Sequence, residues 1–335
     1  MESHKKDNRW RIGTLIRLSL SILFLVLAGL LWFNRQLAVD WISYRQYTPT
    51  SEFAAFAERT TMTREGKFYL YASHPSLEKT QNFNKLCDRK ESSSAVLGCY
   101  AANKIYVYDI DDTKLDGIRE VTTAHEMLHA AYQRLGSDEK TKVNALLDAE
   151  YRKRADDTAL AERMDFYKRT QPGEHDNELH SIIGTEYDGI SNELEKYYER
   201  YFDNRAALVR LHAKYAAEFT KLKDEATSLS RQLKDKSGAI ETGSAQYNES
   251  VKNLNGDIES FNSRATAGQF TSRSEFNSER AALLSRINAL EQQRSEIDEQ
   301  IKLYESLRQR YNATVDESQQ LYNSIDSRLA PAPTI

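Results

Sequence analysis

The most continuous hydrophobic pattern in the chain is an apolar segment from Ile12 to Phe33 that is interrupted only by Arg17. Trp32 stands near its end, as interfacial aromatic residues do in membrane-spanning helices. Arg17 can extend its guanidinium to the lipid headgroups, so it need not end the span. The pattern predicts one transmembrane helix over residues 12–33.

The charges that flank this segment predict its orientation. Basic residues are retained on the cytoplasmic side of a membrane. We therefore expect residues 1–11 to be cytoplasmic and the chain after residue 33 to be extracytoplasmic at the cell membrane. A cleaved signal peptide is the alternative, but no A-x-A-like site follows the apolar run, which favours an uncleaved anchor. The basic residues before the segment are Lys5, Lys6, Arg9 and Arg11.

After the anchor, residues 34–47 are expected to form a juxtamembrane connection to a compact domain over residues 48–205. Pro49 is suited to the first turn of a helix. Residues 138–168 are typical of one or two further helices with a few buried apolar positions. The domain is long enough to bury one small core.

Two segments of this domain have the pattern of strands. Residues 67–71 read KFYLY and follow a glycine, and residues 104–110 read KIYVYDI with alternating β-branched and aromatic positions. We therefore predict a mainly α protein with a small β-sheet, an α+β arrangement.

The C-terminal part, residues 206–329, has the pattern of a coiled coil, with apolar residues that recur at spacings of three and four. Residues 330–335 contain two prolines and are expected to be disordered. The seam of the last helix is predicted to consist of Leu283, Ile287, Leu290, Ile297, Ile301, Tyr304, Tyr311, Val315, Tyr322, Ile325 and Leu329, with Arg294, Arg308 and Ser318 at the remaining positions.

This region is expected to be an antiparallel hairpin of two helices, over about residues 206–265 and 272–329. Ser272 and Glu275 form a capping box that starts the second helix. Parallel pairing between two copies, which would make a homo-oligomer or recruit a coiled-coil partner, is the alternative. The charges along the helices do not decide between them.

Composition narrows the possible partners. The chain has 46 basic and 50 acidic residues, and no basic cluster lies outside the N-terminus, so no nucleic-acid partner is expected. Only 13 glycines and 5 prolines occur, which favours a helix-rich protein. The lipid bilayer is the expected partner of the N-terminal segment.

The two cysteines of the chain, Cys87 and Cys99, both lie on the predicted outer side of the membrane. In an oxidising compartment such a pair forms a disulfide that closes a short loop. Two unpaired thiols, one of them buried, are the alternative. We predict the disulfide.

Candidate chemistry is concentrated in one short motif. Residues 125–129 read HEMLH and match the pattern H-E-x-x-H. His125 and His129 lie one turn apart on the same face of a helix, so both can bind one metal ion. Glu126 then projects beside the metal, where it can take a proton from a bound water. The surrounding apolar stripe, which predicts a buried helix, consists of Val121, Ala124, Leu128, Ala131, Tyr132 and Leu135.

A catalytic metal of this kind needs a third protein ligand. The metzincin continuation, a glycine and a third histidine, is absent after the motif, so a glutamate on a second helix is favoured, and the candidates lie in residues 175–186. Glu178 and Glu186 lie eight residues apart on the same helix face, and geometry alone leaves both open. His175 and His180 are further candidates, and His180 is better suited to a supporting position.

Together the two segments resemble the gluzincin clan of zinc metallopeptidases, over roughly residues 115–190. Residues 177–181, NELHS, are similar to the second-helix segment of that clan, in which an Asn-Glu pair supplies the ligand. The resemblance implies a Zn²⁺ site with His125, His129 and Glu178 as ligands and Glu126 as general base.

The resemblance also implies a small sheet above the site helix, whose edge strand aligns a peptide substrate, and residues 105–110 could form that strand. Some gluzincins stabilise the oxyanion with a tyrosine hydroxyl, and Tyr167 and Tyr187 lie near the second motif. We therefore expect a membrane-anchored extracytoplasmic zinc metallopeptidase. The alternatives are a membrane-tethered coiled-coil scaffold with a structural or inactive metal site and, less favoured, a metal-dependent amidase that acts on cell-wall material.

Overall fold

The described chain is mainly helical and contains one three-stranded sheet, as predicted. It divides into two compact units. The first comprises Met1–Ala217 and Asn323–Ile335, and the second comprises Glu218–Tyr322. The structure is a computed structural model that describes residues 17–26, 28–29, 35–87 and 96–328.

Four of the described helices of the first unit begin after a residue whose side chain caps them. Thr50, Thr63, Asp157 and Ser191 each accept a hydrogen bond from a backbone N–H in the first turn of the helix that follows. The helices are α1 (Arg35–Gln46), α2 (Ser51–Arg59), α3 (Arg64–Ala72), α4 (Thr80–Leu86), α5 (Ile118–Arg134), α6 (Ser137–Lys153), α7 (Thr158–Thr170), α8 (His175–Glu186) and α9 (Asn192–Tyr198).

The sheet consists of β1 (Ser76–Glu78), β2 (Gly98–Ala101) and β3 (Lys104–Tyr108), in the order β1-β3-β2. β1 pairs with β3 in parallel, and β2 pairs with it antiparallel. The strand predicted at residues 104–110 is therefore confirmed, but its expected place at the edge is wrong. β3 is paired on both sides, and β1 and β2 are the edge strands. β2 has only four residues, which is too short a pattern to recognise in the sequence.

The strand predicted over residues 67–71 is wrong, because this segment lies in helix α3. Thr63 caps the helix by accepting a hydrogen bond from the Gly66 N–H. Gly66 and Leu70 are both buried and lie four residues apart, so they face the core on one side of a helix. The cap and this inward face outweigh the β propensity of the aromatic residues.

Helix α5 forms the centre of the core of the first unit, and α8 crosses it closely. Ala124, Met127 and Leu128 of α5 have no exposed surface. A Cβ atom at Gly184 of α8 would lie 2.5 Å from the Leu128 Cδ1 atom and 2.7 Å from the Tyr198 Cε1 atom. Only a glycine permits this approach, which brings the two predicted site helices together.

The two long helices are α10 (Arg205–Thr266) and α11 (Arg273–Ile325), close to the predicted bounds. The start of α11 has the predicted cap, since the Ser272 Oγ accepts from the Glu275 N–H at 3.1 Å. The Glu275 carboxylate accepts from the Thr271 N–H at 2.8 Å rather than from the Ser272 N–H. The helix therefore begins where the sequence places it.

The seam of α11 differs from the predicted one in its second half. Ile301, Val315 and Tyr322 are 40–52% exposed. The buried row of this part of the helix runs instead through Leu307, Thr314 and Leu321, which are at most 6% exposed. The predicted seam contains Arg294 and Arg308 and would turn both of them inward. Burying an unpaired charge is costly, which favours the row through Leu307.

Within the stretches that the structure describes, no helix is both long enough and apolar enough to cross a bilayer. Residues 17–26 are helical. The predicted transmembrane segment 12–33 lies only in part within the described residues, and the predicted cytoplasmic segment 1–11 and tail 330–335 lie outside them.

Candidate metal centre

His125 and His129 stand one turn apart on α5, with their ring centroids 4.8 Å apart. Leu128 and Ala131 of the same helix are buried in the core and fix its rotation about its own axis. The two imidazoles consequently point to the same side of the helix, as the four-residue spacing predicts.

Glu178 reaches both imidazoles from the first turn of α8. Its Oε2 atom lies 3.8 Å from the His125 Nε2 atom and 3.7 Å from the His129 Nε2 atom. The three ligand atoms lie within 4.8 Å of one another, and together they could hold a metal ion. The side chains are 9–16% exposed, so the group is largely shielded from solvent.

A missing hydrogen bond at Glu178 also fits a metal site. The Glu178 Oε2 atom is buried without a hydrogen-bond partner among the described residues. An unpaired buried carboxylate oxygen is costly, and a cation shared with the two Nε2 atoms would remove that cost. Around a tetrahedral ion about 2.0–2.1 Å from each donor, the donors are about 3.3 Å apart. Here Glu178 lies 3.7 and 3.8 Å from the two imidazoles, and the whole group spans up to 4.8 Å, so the donors would draw together around a bound ion.

The charge state of Glu178 suits a ligand. Burial acts to raise the pKa of its carboxyl group, but the neighbouring His129 and His125 imidazoles outweigh it. The pKa therefore lies below its usual value, and the carboxylate is ionised, as metal binding requires.

Asn177 orients one of the two histidines. Its Oδ1 atom lies 3.0 Å from the His129 Nδ1 atom, so Nδ1 carries the proton, and the Nε2 atom on the side of Glu178 keeps a free lone pair for a metal ion. The Asn177 side-chain amide in turn donates to the Glu174 Oε2 atom at 2.8 Å. The residue before the carboxylate ligand thus sets the tautomer and direction of His129.

Replacing Asn177 with Ala is expected to weaken metal affinity by about 10–100-fold, because partners of metal-bound histidines contribute by this amount. Asn177→Asp keeps an acceptor for the His129 Nδ1–H and should lose much less. Competition with a chelator measures both affinities in the full-length protein. Equal affinity of Asn177→Ala and the wild type would show that the contact does not support the site.

Glu126 is buried beside the group, at 5% exposure, and strand β2 covers it. A Cβ atom at Gly98 of β2 would lie 2.9 Å from both the Cγ and the Oε1 atoms of Glu126 and 2.7 Å from the Thr122 Cγ2 atom. Burial raises the pKa of Glu126 to about 7, with the His129 charge opposing the shift and the Glu178 charge adding to it. The glycine therefore lets the edge strand pass directly over this carboxyl group.

Glu186, the rival third ligand, is held by other residues. The Nη1 and Nη2 atoms of Arg163 donate to its two carboxylate oxygens at 2.6 and 2.7 Å, and the His212 Nε2 atom lies 3.4 Å from its Oε2. Burial acts to raise the pKa of Glu186, but the charge and hydrogen bonds of Arg163 outweigh it and hold it below its usual value. Glu186 is outside the metal-binding group.

The other two candidate histidines are also outside the group. His175 has its Nδ1 atom 3.1 Å from the Asp176 Oδ1 atom. His180 is fully buried, and its Nε2 atom lies 3.0 Å from the Tyr197 hydroxyl. Burial lowers the pKa of His180 well below its usual value. It supports the packing of α8 and lies outside the candidate metal-binding group.

A cavity of about 1440 Å³ opens onto the group. Its lining includes side chains that local sequence patterns do not reveal, because they come from helices distant in sequence. Arg163 and His212 were missed entirely, although His212 is one of only seven histidines in the chain. Tyr167 also lines the cavity, and its pKa is raised first by burial and then by the charge of Glu178.

The predicted disulfide is present. Cys87 and Cys99 are bonded, with their Cα atoms 5.8 Å apart. The bond joins the end of α4 to β2, one residue after Gly98. It therefore constrains the strand that covers Glu126.

Searches with this chain against protein-family models, curated proteins and solved structures find no match.

Proposed function

We propose that this protein is a zinc metallopeptidase that hydrolyses peptide bonds. The observation that carries the proposal is the convergence of His125, His129 and Glu178 on one point beside Glu126, at a cavity large enough for a peptide. Two imidazoles and one carboxylate, with a position left for water, are the donor set of catalytic zinc sites. Magnesium and calcium prefer oxygen donors, so this set favours zinc over them.

The residues divide the chemistry between them. Zinc, when bound, lowers the pKa of a coordinated water to about 7 and polarises the scissile carbonyl. Glu126 is placed to take the proton from the attacking water and to return it to the leaving amine nitrogen. We assign the Tyr167 hydroxyl to the developing oxyanion, since it lines the cavity and the charge of Glu178 acts on it.

The edge strand β2 gives the cavity a means of aligning a peptide. Among the described strands, β2 pairs with β3 alone, and its residues from Gly98 to Tyr100 line the cavity. An extended peptide can add to such an edge through backbone hydrogen bonds. The scissile bond would then run past Glu126, because Gly98 lies against that side chain.

We infer that residues 12–33 anchor the chain in the cell membrane, with the metal centre on the extracytoplasmic side, as the basic N-terminus and the disulfide favour. We also infer an antiparallel hairpin for α10 and α11. Supporting contacts join Arg264 to Glu279 near the turn and Phe219 to Tyr322 at the far end.

The assignment of the third ligand is tested by metal content. We expect the full-length wild type to hold one zinc ion per chain, Glu178→Gln to lose it, and Glu186→Gln to keep it, as measured by mass spectrometry after gel filtration. Both substitutions remove one buried carboxylate from α8, so each controls for the other. Loss of zinc in Glu186→Gln alone would transfer the ligand to that residue, and a metal-free wild type would refute the proposed function.

A further inference from the structure

Helix α1, Arg35–Gln46, has its polar and apolar faces reversed relative to a helix on a water-soluble protein. Leu37, Val39, Trp41 and Ile42 are 52–59% exposed. The residue turned toward the protein is instead Asp40, which is 3% exposed. Surface helices normally bury their apolar stripe and present charge to water.

The reversal is fixed by specific contacts on the inner side. Both Asp40 carboxylate oxygens accept hydrogen bonds from Arg134 at 2.7 Å, from Nε and Nη2. The Ser43 Oγ donates to the Ala72 carbonyl at 2.7 Å, and the Tyr47 hydroxyl, just beyond the helix, donates to the Pro75 carbonyl at 2.9 Å. These bonds determine which side of α1 faces outward.

The outer surface has the composition of a membrane-interface segment. Trp41 and Ile42 stand beside Arg45, whose guanidinium carbon lies 5.6 Å from the centroid of the Trp41 ring. Tryptophan and arginine are enriched at the level of the lipid headgroups, where an apolar body meets a charged surface. Since Asp40 is neutralised by Arg134, the outward charges of α1 are basic, which suits anionic lipids.

The chain just before α1 supports the same partner. The helical residues 17–26 expose a continuous apolar surface. A second apolar surface on the next described element, α1, extends the region that avoids water. The exposed apolar residues of this earlier segment are Leu18, Leu20, Ile22, Leu23, Phe24, Leu25 and Val26, at 53–71%.

We propose that α1 is an interfacial helix that lies on an anionic lipid bilayer, with Leu37, Val39, Trp41 and Ile42 inserted at the boundary between headgroups and acyl chains. The inference rests on the membrane-anchored part of the proposed function and goes beyond it, because the domain is docked on the membrane rather than tethered by a free linker. Arg134 also donates to the Tyr100 hydroxyl of β2 at 2.9 Å, so α1 is connected to the wall of the cavity through two side chains. Peptides near the bilayer surface are then the accessible substrates.

The test uses the full-length chain in phosphatidylcholine vesicles that contain phosphatidylserine and bromine-labelled acyl chains. The chain has three tryptophans, so Trp10→Phe with Trp32→Phe leaves Trp41 as the only reporter. We expect the Trp41 emission to shift to shorter wavelength, to lose most of its intensity to the brominated lipid and to resist aqueous acrylamide. A circular dichroism spectrum equal to that of the wild type confirms that the same variant is folded, independently of zinc binding and of activity.

Two control variants separate the possible outcomes. In the tryptophan-free background made by Trp41→Phe, Phe24→Trp reports the predicted anchor and Leu284→Trp reports an exposed apolar position of the second unit. Quenching by lipid at position 24 but only by acrylamide at position 41 would overturn the docking and leave the anchor intact. Water-like emission at both positions would overturn anchor and docking together, whereas zinc binding tests the peptidase proposal separately. Lipid quenching at position 284 as strong as at 41 would show nonspecific adsorption and also overturn the docking.

Discussion

Glu126→Gln is expected to lower kcat/KM for peptide hydrolysis by about 10²–10⁴-fold while zinc content stays at the wild-type level, because general-base catalysis typically contributes a factor of this size. Glutamine has the same shape, so the close contact with Gly98 is kept. Its amide cannot accept the proton of the attacking water. Glu126 lies outside the candidate group of His125, His129 and Glu178, so the substitution leaves that group intact.

The measurement combines cleavage of a mixed-sequence peptide library, read by mass spectrometry, with metal analysis of the same preparation. Glu120→Gln is the matched control, since Glu120 is a second buried glutamate of α5 that pairs with Arg59 away from the cavity. It should retain activity. Full activity in Glu126→Gln would exclude this residue as the base, and an inactive wild type with bound zinc would instead favour the scaffold with a structural metal.

The sequence predicts well that His125 and His129 stand side by side, because their relation depends on a single helix. His125 and His129 are related by one helical turn, and the buried stripe around them makes the helix unambiguous. The bounds of the two long helices likewise follow from periodicity and, at the start of α11, from the Ser272 cap. These features need no knowledge of what the element contacts.

The third ligand could not be decided in the same way, because Glu178 and Glu186 share one face of α8. The structure separates them through partners that come from elsewhere in the chain. Arg163 of α7 donates a hydrogen bond to Glu186, and His212 of α10 lies against the same carboxylate. Glu178 is left to face the two imidazoles of α5. Contacts from other helices, rather than any property of α8 itself, determine which of the two glutamates faces the imidazoles.

The errors in the fold have a similar origin. The strand predicted at residues 67–71 rested on β propensity, which the cap at Thr63 and the inward pair of Gly66 and Leu70 outweigh. The edge strand β2 was missed since four residues cannot show an alternation. In α11, two neighbouring rows satisfied the apolar spacing, and the cost of burying charge selected the row with Leu307.

Asp40→Ala is expected to lower the free energy of unfolding by about 3–5 kcal/mol, because breaking a buried ion pair leaves its other member unpaired inside the protein. The Asp40 and Arg134 side chains are only 4% and 6% exposed. Arg134 would keep its bonds to the Ala130 carbonyl and the Tyr100 hydroxyl but would lose its charge partner. Equilibrium unfolding in urea, followed by circular dichroism, measures the loss.

Asp116→Ala provides the comparison, because Asp116 pairs with Arg59 at the surface, where the two side chains are 38% and 40% exposed. Exposed pairs contribute about 0–1 kcal/mol, so this variant should be nearly as stable as the wild type. The double variant Asp40→Leu with Arg134→Met should recover much of the stability lost in Asp40→Ala, since no charge is then left buried without a partner. If Asp40→Ala proved no less stable than Asp116→Ala, the buried pair would not be what fixes α1 to the site helix.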